Sequence, residues 1–353
     1  MIAAIRTELS KERICRFAAC GAILLFCLGA TGAPPAPGYH QLKKIALGGE
    51  GGWDYLTIDS AARRLYIARA TRVMVLDADS GAQVGEIADT PGVHGVALAP
   101  QLGRGFTSNG RASTVTIFDL KTLKPLGQAK TGSNPDAIVY DAVTRRVFTF
   151  NGASKDATVI GAADGSVSGT IALDGKPEFA VADGAGRIYV NLEDKSELLA
   201  IDSRQLTILN RWPLASCKEP SGLAMDRKNR RLFVGCGNKL MAVVDADSGR
   251  VLTTLAIGSG VDATAFDPGT TLAFSSNGDG TLTVVREESL DKFTVVENVA
   301  TQRGARTMAL DETTHNVYLV TAEFGPPREP TPDNPRGRPS MLPGSFVLLV
   351  FGQ

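Results

Sequence analysis

The sequence lacks an excess of charge of either sign. Its 353 residues include 37 Lys and Arg and 37 Asp and Glu, so the formal net charge is zero. Without a basic surface there is little to attract a phosphate backbone, and we expect no nucleic-acid partner. Several chemical signatures are also missing. No His or Cys cluster has zinc-ligand spacing, no G-x-S-x-G nucleophile elbow occurs, and no glycine-rich phosphate loop precedes a helix.

The sequence also lacks an apolar run long enough to cross a bilayer comfortably. The run from Phe17 to Leu28 has 12 residues, and small residues follow it. Four basic residues precede it: Arg6, Lys11, Arg13 and Arg16. This arrangement predicts a secretory signal over residues 1–33 and a periplasmic or secreted protein with no membrane attachment after cleavage. An uncleaved anchor is the alternative. The proline-rich residues 34–38 form a short stiff spacer.

Cysteine is scarce. Five are present, and three of them fall within the predicted signal. Cys217 and Cys236 remain after cleavage, and an oxidising compartment would allow them to form a disulfide. Two free thiols, or a metal ion held by the pair, are the alternatives.

A strand-rich unit repeats along the rest of the chain. Its clearest copy, 134–152, has an apolar run, a polar turn, a β-branched and aromatic run, and an Asn-Gly turn. The residue that opens the polar turn recurs at spacings of 41, 41, 42, 43, 41 and 44: Asp59, Pro100, Asp141, Asp183, Asp226, Asp267 and Asp311. An aromatic follows six or seven positions later: Tyr66, Phe106, Phe148, Tyr189, Phe233, Phe274 and Tyr318. This period predicts an all-β fold, a seven-bladed β-propeller with one four-stranded blade per repeat.

The two ends of the chain contain the pieces of the last blade. Residues 39–47 have the pattern of a strand that precedes the first complete repeat. The seventh repeat has two strands, then an insert at 323–344 with seven prolines, then a final strand at 346–351. Because this repeat lacks a fourth strand, we predict that 39–47 pairs with 346–351. That pairing closes the ring, removes an open sheet edge and makes 39–353 one propeller.

Three elements of the repeat resemble a known family. They are P-x-x-hydrophobic-x-x-D, then R-R-hydrophobic-aromatic-V, then V-V-D-x-x-S/T-G, the last present as VVDADSG at 243–249. Together they resemble the YVTN repeat, and their order is similar to that of secreted, YncE-like seven-bladed propellers over about 39–351. The resemblance implies the fold. It leaves binding, scaffolding and catalysis open, because propellers host all three.

Polar residues recur at two positions of the repeat that we expect at one end of the propeller axis, where the first strand begins and the second ends. Five residues before each turn marker stand Asp54, Gly95, Asp136, Glu178, Ser221, Asp262 and Arg306, with Trp53 beside Asp54 and His94 beside Gly95. Three residues after each aromatic stand Arg69, Asn109, Asn151, Leu192, Cys236, Asn277 and Thr321, with Asn191 and Glu193 on either side of Leu192. The sequence therefore predicts two polar rings at one mouth.

The first ring contains four acids: Asp54, Asp136, Glu178 and Asp262. Carboxylate and amide oxygens suit Ca²⁺ or Mg²⁺, and they also suit a polyol or a cationic ligand. The alternative is structural, because Asp and Asn near strand ends often satisfy backbone groups in turns. Like charges around a narrow channel repel one another, and Arg306, Arg69 and His94 are the candidate counter-charges.

Two side chains at the mouth allow a chemical and a structural interpretation. His94 is a candidate general base, with a purely structural role as the alternative. Trp53 could stack on a sugar or another ring, or it could simply pack against the protein.

The predicted function is that of a monomeric binding protein that takes a small polar ligand, or a loop of a partner protein, at this entrance. A metal-assisted hydrolase or lactonase using the same entrance is the competing class. A protein-interaction scaffold is the third.

Overall fold

The computed structural model describes residues 38–327, 329 and 339–353. These residues form seven four-stranded antiparallel sheets, so the predicted seven-bladed propeller is confirmed. The predicted signal over 1–33, all but the last residue of the spacer, and part of the insert lie outside the described residues. Among the described residues, no helix combines the length and the apolar character that a bilayer crossing requires.

In the first six blades the strands follow one another in chain order, and the first strand of each blade contacts the first strands of its neighbours around the axis. Blade 1 contains β2 (Leu56–Asp59), β3 (Arg64–Arg69), β4 (Arg72–Asp77) and β5 (Gln83–Ile87). Blade 2 contains β6 (Val93–Ala99), β7 (Arg104–Asn109), β8 (Thr114–Asp119) and β9 (Pro125–Lys130). Blade 3 contains β10 (Pro135–Asp141), β11 (Arg146–Asn151), β12 (Asp156–Gly161) and β13 (Val167–Ala172).

The next three blades follow the same order. Blade 4 contains β14 (Pro177–Ala182), β15 (Arg187–Leu192), β16 (Glu197–Asp202) and β17 (Thr207–Pro213). Blade 5 contains β18 (Pro220–Asp226), β19 (Arg231–Cys236), β20 (Leu240–Asp245) and β21 (Val251–Ala256). Blade 6 contains β22 (Val261–Asp267), β23 (Leu272–Asn277), β24 (Thr281–Ser289) and β25 (Lys292–Ala300). Short 3₁₀ turns occur at Pro100–Leu102 and Glu193–Lys195.

Blade 7 is completed by both ends of the chain. Its strands, from the axis outward, are β26 (Met308–Asp311), β27 (Asn316–Thr321), β28 (Val347–Gly352) and β1 (His40–Ala46). β1 runs antiparallel to β28, from His40 opposite Gly352 to Ala46 opposite Val347. The predicted closure is therefore confirmed, and the observed strand ends of this blade lie within two residues of the predicted ones.

Tyr39 anchors the strand that closes the ring. Its ring packs edge-on against Phe274 of blade 6, with the two ring centroids 5.0 Å apart, and it is almost fully buried. Its hydroxyl donates a hydrogen bond to the carbonyl oxygen of His315 at 2.8 Å, and its backbone N–H donates one to Glu297 at 2.9 Å. The N-terminal strand is thereby joined to blade 6 as well as to blade 7.

The hydrophobic core lies between neighbouring blades. The repeating aromatic of the second strand is buried in all seven described blades: Tyr66, Phe106, Phe148, Tyr189, Phe233, Phe274 and Tyr318. Tyr318 of blade 7, for example, shares a buried cluster with Leu56 and Leu76 of blade 1. Each blade therefore covers the apolar face of the next, and the ring is stable only as a whole.

The turn aspartates have a structural role at the end of the propeller opposite the predicted mouth. Asp141, Asp267 and Asp311 each accept one hydrogen bond from a backbone N–H two residues later and one from a threonine hydroxyl three residues later. Asp311 also pairs with Arg63 of blade 1, and Asp267 with His315 of blade 7. The marker that reveals the repeat in the sequence thus closes a turn and, in these two cases, ties adjacent blades.

Removal of residues 34–47 should lower the melting temperature sharply, because it exposes the backbone edge of β28 and opens the ring. Deletion of 34–37 alone keeps Tyr39 and β1, so it is the matched control and should melt like the full chain. Tyr39→Ala alone should lower the free energy of unfolding by about 3–5 kcal/mol, as truncation of a buried aromatic usually does. Thermal and urea melts test this, and an unchanged melting temperature for the longer deletion would contradict the closure.

Candidate functional site

A shared irregularity turns side chains of the inner strands toward the axis. In blades 2 to 6 the first residue of the inner strand pairs with the last residue of the second strand, and the register then breaks before pairing resumes three residues later. The residues at the break are, for example, Asp136 and Ala137 in blade 3 and Asp262 and Ala263 in blade 6. A break of this kind bends a strand and re-aims its side chains. The first predicted ring coincides with this break.

The break opens onto a polar cavity of about 510 Å³. All four predicted acids line it: Asp54, Asp136, Glu178 and Asp262. The remaining lining residues are Tyr55, Lys176, Glu193, Glu219, Ser221, Gly237, Gly260, Val261 and Arg306. Sequence reasoning placed Glu193 beside the second ring, but it did not assign Lys176, Glu219 or Tyr55 to the site. They lie one or two residues from a ring position, and that adjacency is the signal that could have found them.

His94 stands between two of the acids. Its Nδ1 lies 2.5 Å from Oδ2 of Asp54 and 3.7 Å from Oδ1 of Asp136. Burial alone would lower the pKa of His94, but the hydrogen bond to Asp54 and the charge of Asp136 outweigh it and raise the pKa to about 9. The ring is therefore protonated near neutral pH. Its Nδ1–H donates to Asp54, which is a poor state for the general base considered above.

Three side chains in this group have metal-ligand spacing. The ligand atoms of Asp54, His94 and Asp136 lie within 4.8 Å of one another, and Glu178 and Asp262 do not belong to the group. A mixed nitrogen and oxygen set suits a transition metal better than Ca²⁺ or Mg²⁺, which prefer oxygen ligands. The expected four-carboxylate site for a hard cation is therefore not the arrangement found among the described residues.

Lys176 connects two acids on the blade 4 side of the cavity. Its Nζ lies 2.9 Å from Oε1 of Glu178 and also pairs with Glu193, in the 3₁₀ turn after β15. Even so, the pKa of Glu178 is raised to about 8, mainly by burial and then by the nearby charge of Asp136. Lys176 offsets only part of this rise. The carboxyl of Glu178 therefore retains its proton to unusually high pH.

Asp262 and Arg306 face each other without a close contact. Nε of Arg306 lies 3.7 Å from Oδ2 of Asp262, beyond hydrogen-bond distance, and half of the Arg306 side chain is exposed. Burial raises the pKa of Asp262 to about 7, although the charge of Arg306 lowers it. The pKa of Asp136 is raised to about 6, again mainly by burial, with the charge of His94 acting in the opposite direction.

Tyr55 contributes an aromatic ring to the wall of the cavity. Tyr55 packs edge-on against Phe179 with ring centroids 4.4 Å apart. Tyr55 also lines a smaller cavity of about 130 Å³ that contains Phe179 and no charged residue. A Cβ at Gly95 would lie 3.1 Å from the Tyr55 ring, so the glycine in the acidic column leaves room for this ring.

The predicted second ring does not form. Asn109, Asn151 and Asn277 are fully buried and do not line the cavity. Each is the last residue of a second strand and pairs with the first residue of the third strand. Their amide nitrogens donate to side chains of that third strand: Thr114, Thr116, Asp156, Thr158, Thr281 and Thr283. These asparagines have a structural role, but their amides bond side chains of the neighbouring strand rather than the backbone groups of turns.

Arg69 and Asn191 also lie outside the cavity. The guanidinium of Arg69 is buried 3.7 Å above the ring of Phe346 and donates to the backbone oxygen of Glu50 at 3.0 Å, so it does not neutralise the acids. Asn191 donates to the backbone oxygens of Ser221 and Gly222, which ties blade 4 to blade 5.

Trp53 packs beside the cavity rather than within it. Its ring centroid lies 5.2 Å from that of Phe346 and 6.0 Å from that of Phe324, which belongs to the insert. Trp53 remains half-buried and lines a separate cavity of about 420 Å³. Its ring therefore packs against the protein and is also partly exposed in that cavity.

Cys217 and Cys236 are joined in a disulfide, with both residues buried. The bond links the loop that enters blade 5 to the end of β19. Glu219 and Gly237, which follow these two cysteines, line the acidic cavity. The bond therefore holds one wall of the cavity in place.

Comparison with known proteins supports the fold alone. No protein-family profile and no curated sequence matches the chain. The chain is similar to the crystal structure of the WD40 repeats of RRP9, with a TM-score of 0.73 at 10% identity over 87% of this chain and 97% of that one. It is also similar to the structure of U3-55K, with a TM-score of 0.72 at 10% identity over 90% of this chain and 99% of that one.

Stability should depend on pH through the buried acids. The pKa of Asp136 and of Glu178 is raised in the folded state, so the stability that these groups contribute is present at low pH and is lost as pH rises through about 6 and about 8. Asp136→Asn with Glu178→Gln should therefore unfold at increasingly higher urea than the wild type between about pH 5 and about pH 8.5. A difference between the two proteins that stays constant with pH would contradict this.

The disulfide should be detectable and stabilising. Protein from an oxidising compartment should show no alkylatable thiol at Cys217 or Cys236 until reductant is added, as measured by mass spectrometry. With a sequence separation of 19 residues, replacement of both by Ala should lower the free energy of unfolding by about 3 kcal/mol on the chain-entropy account. Two alkylatable thiols without reductant would exclude the bond.

Proposed function

We propose that this protein binds a small, positively charged polar ligand in the axial cavity. The proposal rests on the carboxyls that the cavity partly removes from water: the pKa is about 6 for Asp136, about 8 for Glu178 and about 7 for Asp262. Burial is the largest cause in each case. A ligand cation between these groups would favour their ionised forms and would therefore release protons on binding, and its attraction to the partly buried carboxylates would be less screened by water than at the surface.

The protein's own cations do not pair with every acid of the cavity. Lys176 is engaged by Glu178 and Glu193, and His94 by Asp54. Asp262 has no hydrogen-bonded cation within the part of the chain that the structure describes. It is therefore the carboxyl most available to a ligand ammonium.

An organic cation fits the cavity better than a metal ion does. The protonated His94 already offsets the charge of Asp54 and Asp136, so a metal at these three residues would have to displace a proton that both carboxylates favour. The proton on His94 likewise makes a hydrolase with His94 as its base the weaker proposal. Binding is the function that this geometry supports best.

The proposed location is the periplasm or the exterior of the cell, with the protein acting as a monomer. The signal-like residues 1–33 and the resemblance to secreted YncE-like propellers support this. The disulfide between Cys217 and Cys236 agrees with an oxidising compartment.

A thermal-shift screen of the purified protein against small amines, polyols, Ca²⁺ and Mg²⁺ would test the proposal, because a ligand that binds only the folded state raises the melting temperature. Amines should raise it, and Asp262→Asn with Glu178→Gln should abolish the shift while the protein stays folded. The affinity of the amine should increase from about pH 6 to about pH 8, since the ligand competes with protons for the same carboxyls.

The matched control carries the same charge change at the surface. Glu86 and Asp174 have side chains that are 48% and 83% exposed and do not line the cavity. Glu86→Gln with Asp174→Asn should therefore respond to amines like the wild type. Equal responses from the cavity variant and the surface variant would refute the proposal.

A further inference from the structure

Arg306 lines two cavities at once. One is the acidic axial cavity, and the other is the cavity of about 420 Å³ formed with Gly52, Trp53, Gly304 and Phe324. Within the described residues the guanidinium donates no hydrogen bond, and its nearest carboxylate is the one 3.7 Å away on Asp262. The structure therefore places an available cation where a charged cavity meets an aromatic one.

The pair of Asp262 and Arg306 is complementary to a zwitterion. Asp262 can accept hydrogen bonds from an ammonium, and the planar guanidinium of Arg306 can donate two parallel hydrogen bonds to a carboxylate. A ligand with only a positive charge would leave Arg306 unpaired and would be repelled by it. A ligand with only a negative charge would face the acids of the axial cavity. A ligand with an ammonium and a carboxylate attached to the same carbon atom can pair with Asp262 and Arg306 at once.

The second cavity indicates what kind of side chain the ligand carries. Phe324 is 39% exposed, and its ring is tilted 39° to that of Trp53 at a centroid distance of 6.0 Å. Gly52 and Gly304 contribute no side chains that would cover these rings, and a Cβ at Gly52 would meet nothing within 4 Å. An exposed aromatic wall of this kind is best covered by another ring, which can stack or pack edge-on against it.

From these three features we propose that the ligand is a free aromatic α-amino acid. Its ammonium lies on Asp262, its carboxylate on Arg306, and its ring against Trp53 and Phe324. This inference rests on the proposed function, because it assigns the class of cation that the axial cavity takes.

Isothermal titration calorimetry with four matched probes tests it on the purified protein. L-Phenylalanine has all three groups, L-phenylalaninamide lacks the carboxylate, N-acetyl-L-phenylalanine lacks the ammonium, and L-alanine lacks the ring. L-Phenylalanine should bind most tightly, and each of the other probes should bind roughly tenfold more weakly or worse, as expected for a lost charged partner or a lost buried ring.

Two variants should change this ranking in different ways. Arg306→Gln should reduce the affinity for L-phenylalanine to that for the amide without weakening the amide. Phe324→Ala should bring L-phenylalanine close to L-alanine. Leu126→Ala is the control, since Leu126 is an exposed apolar residue on β9 that lines neither cavity. It should bind all four probes like the wild type.

The outcomes separate this inference from the proposed function. If the amide and simple amines bind as tightly as L-phenylalanine, and Asp262→Asn with Glu178→Gln removes that binding, the inference is wrong and the proposed function stands. If L-alanine binds as tightly as L-phenylalanine, the aromatic part is wrong. If neither the four probes nor simple amines bind, both proposals fail.

Discussion

The backbone pairing of β1 with β28 is the constraint on which the rest of the structure depends. It brings the two ends of the chain into one blade, so that no blade keeps an uncovered apolar face. Closure also holds the first strands of all blades around a common axis. The acidic cavity is the space that these strands leave at one end, so the site exists only in the closed ring. Tyr39, just before β1, adds a side-chain anchor to the same joint.

The charges around the cavity are unevenly compensated. On the side of blades 1 to 3, His94 carries a proton between Asp54 and Asp136, so those charges are largely compensated. On the side of blades 6 and 7, Asp262 and Arg306 approach each other without a hydrogen bond. The aromatic wall lies beside Arg306 and not beside His94. Unsatisfied polar groups and uncovered apolar surface thus coincide in one place, which is typical of a binding site.

The repeat phase explains which of the predicted residues line the cavity. The acids of the first ring all fall at the register break of an inner strand or at the matching position of blade 1, so one position predicts four cavity-lining residues. The same reasoning was wrong for Asn109, Asn151 and Asn277, because each occupies the strand end next to a third-strand partner and donates to it. The direction of these side chains depends on partners in the third strand that the alternation of residues alone does not specify.

The sequence by itself determined four features of the protein: the number of blades, the phase of the strands, the pairing of the two chain ends and the acidic column. Each follows from a local pattern repeated at a regular spacing, and strand geometry converts that spacing into position. Only the tertiary structure decided which cations reach the acids and that Arg69 lies over Phe346 instead. It also decided that the pKa values of Asp136, Glu178 and Asp262 rise. Those properties depend on burial and on distances between residues of different repeats, and such distances exist only once the ring is assembled.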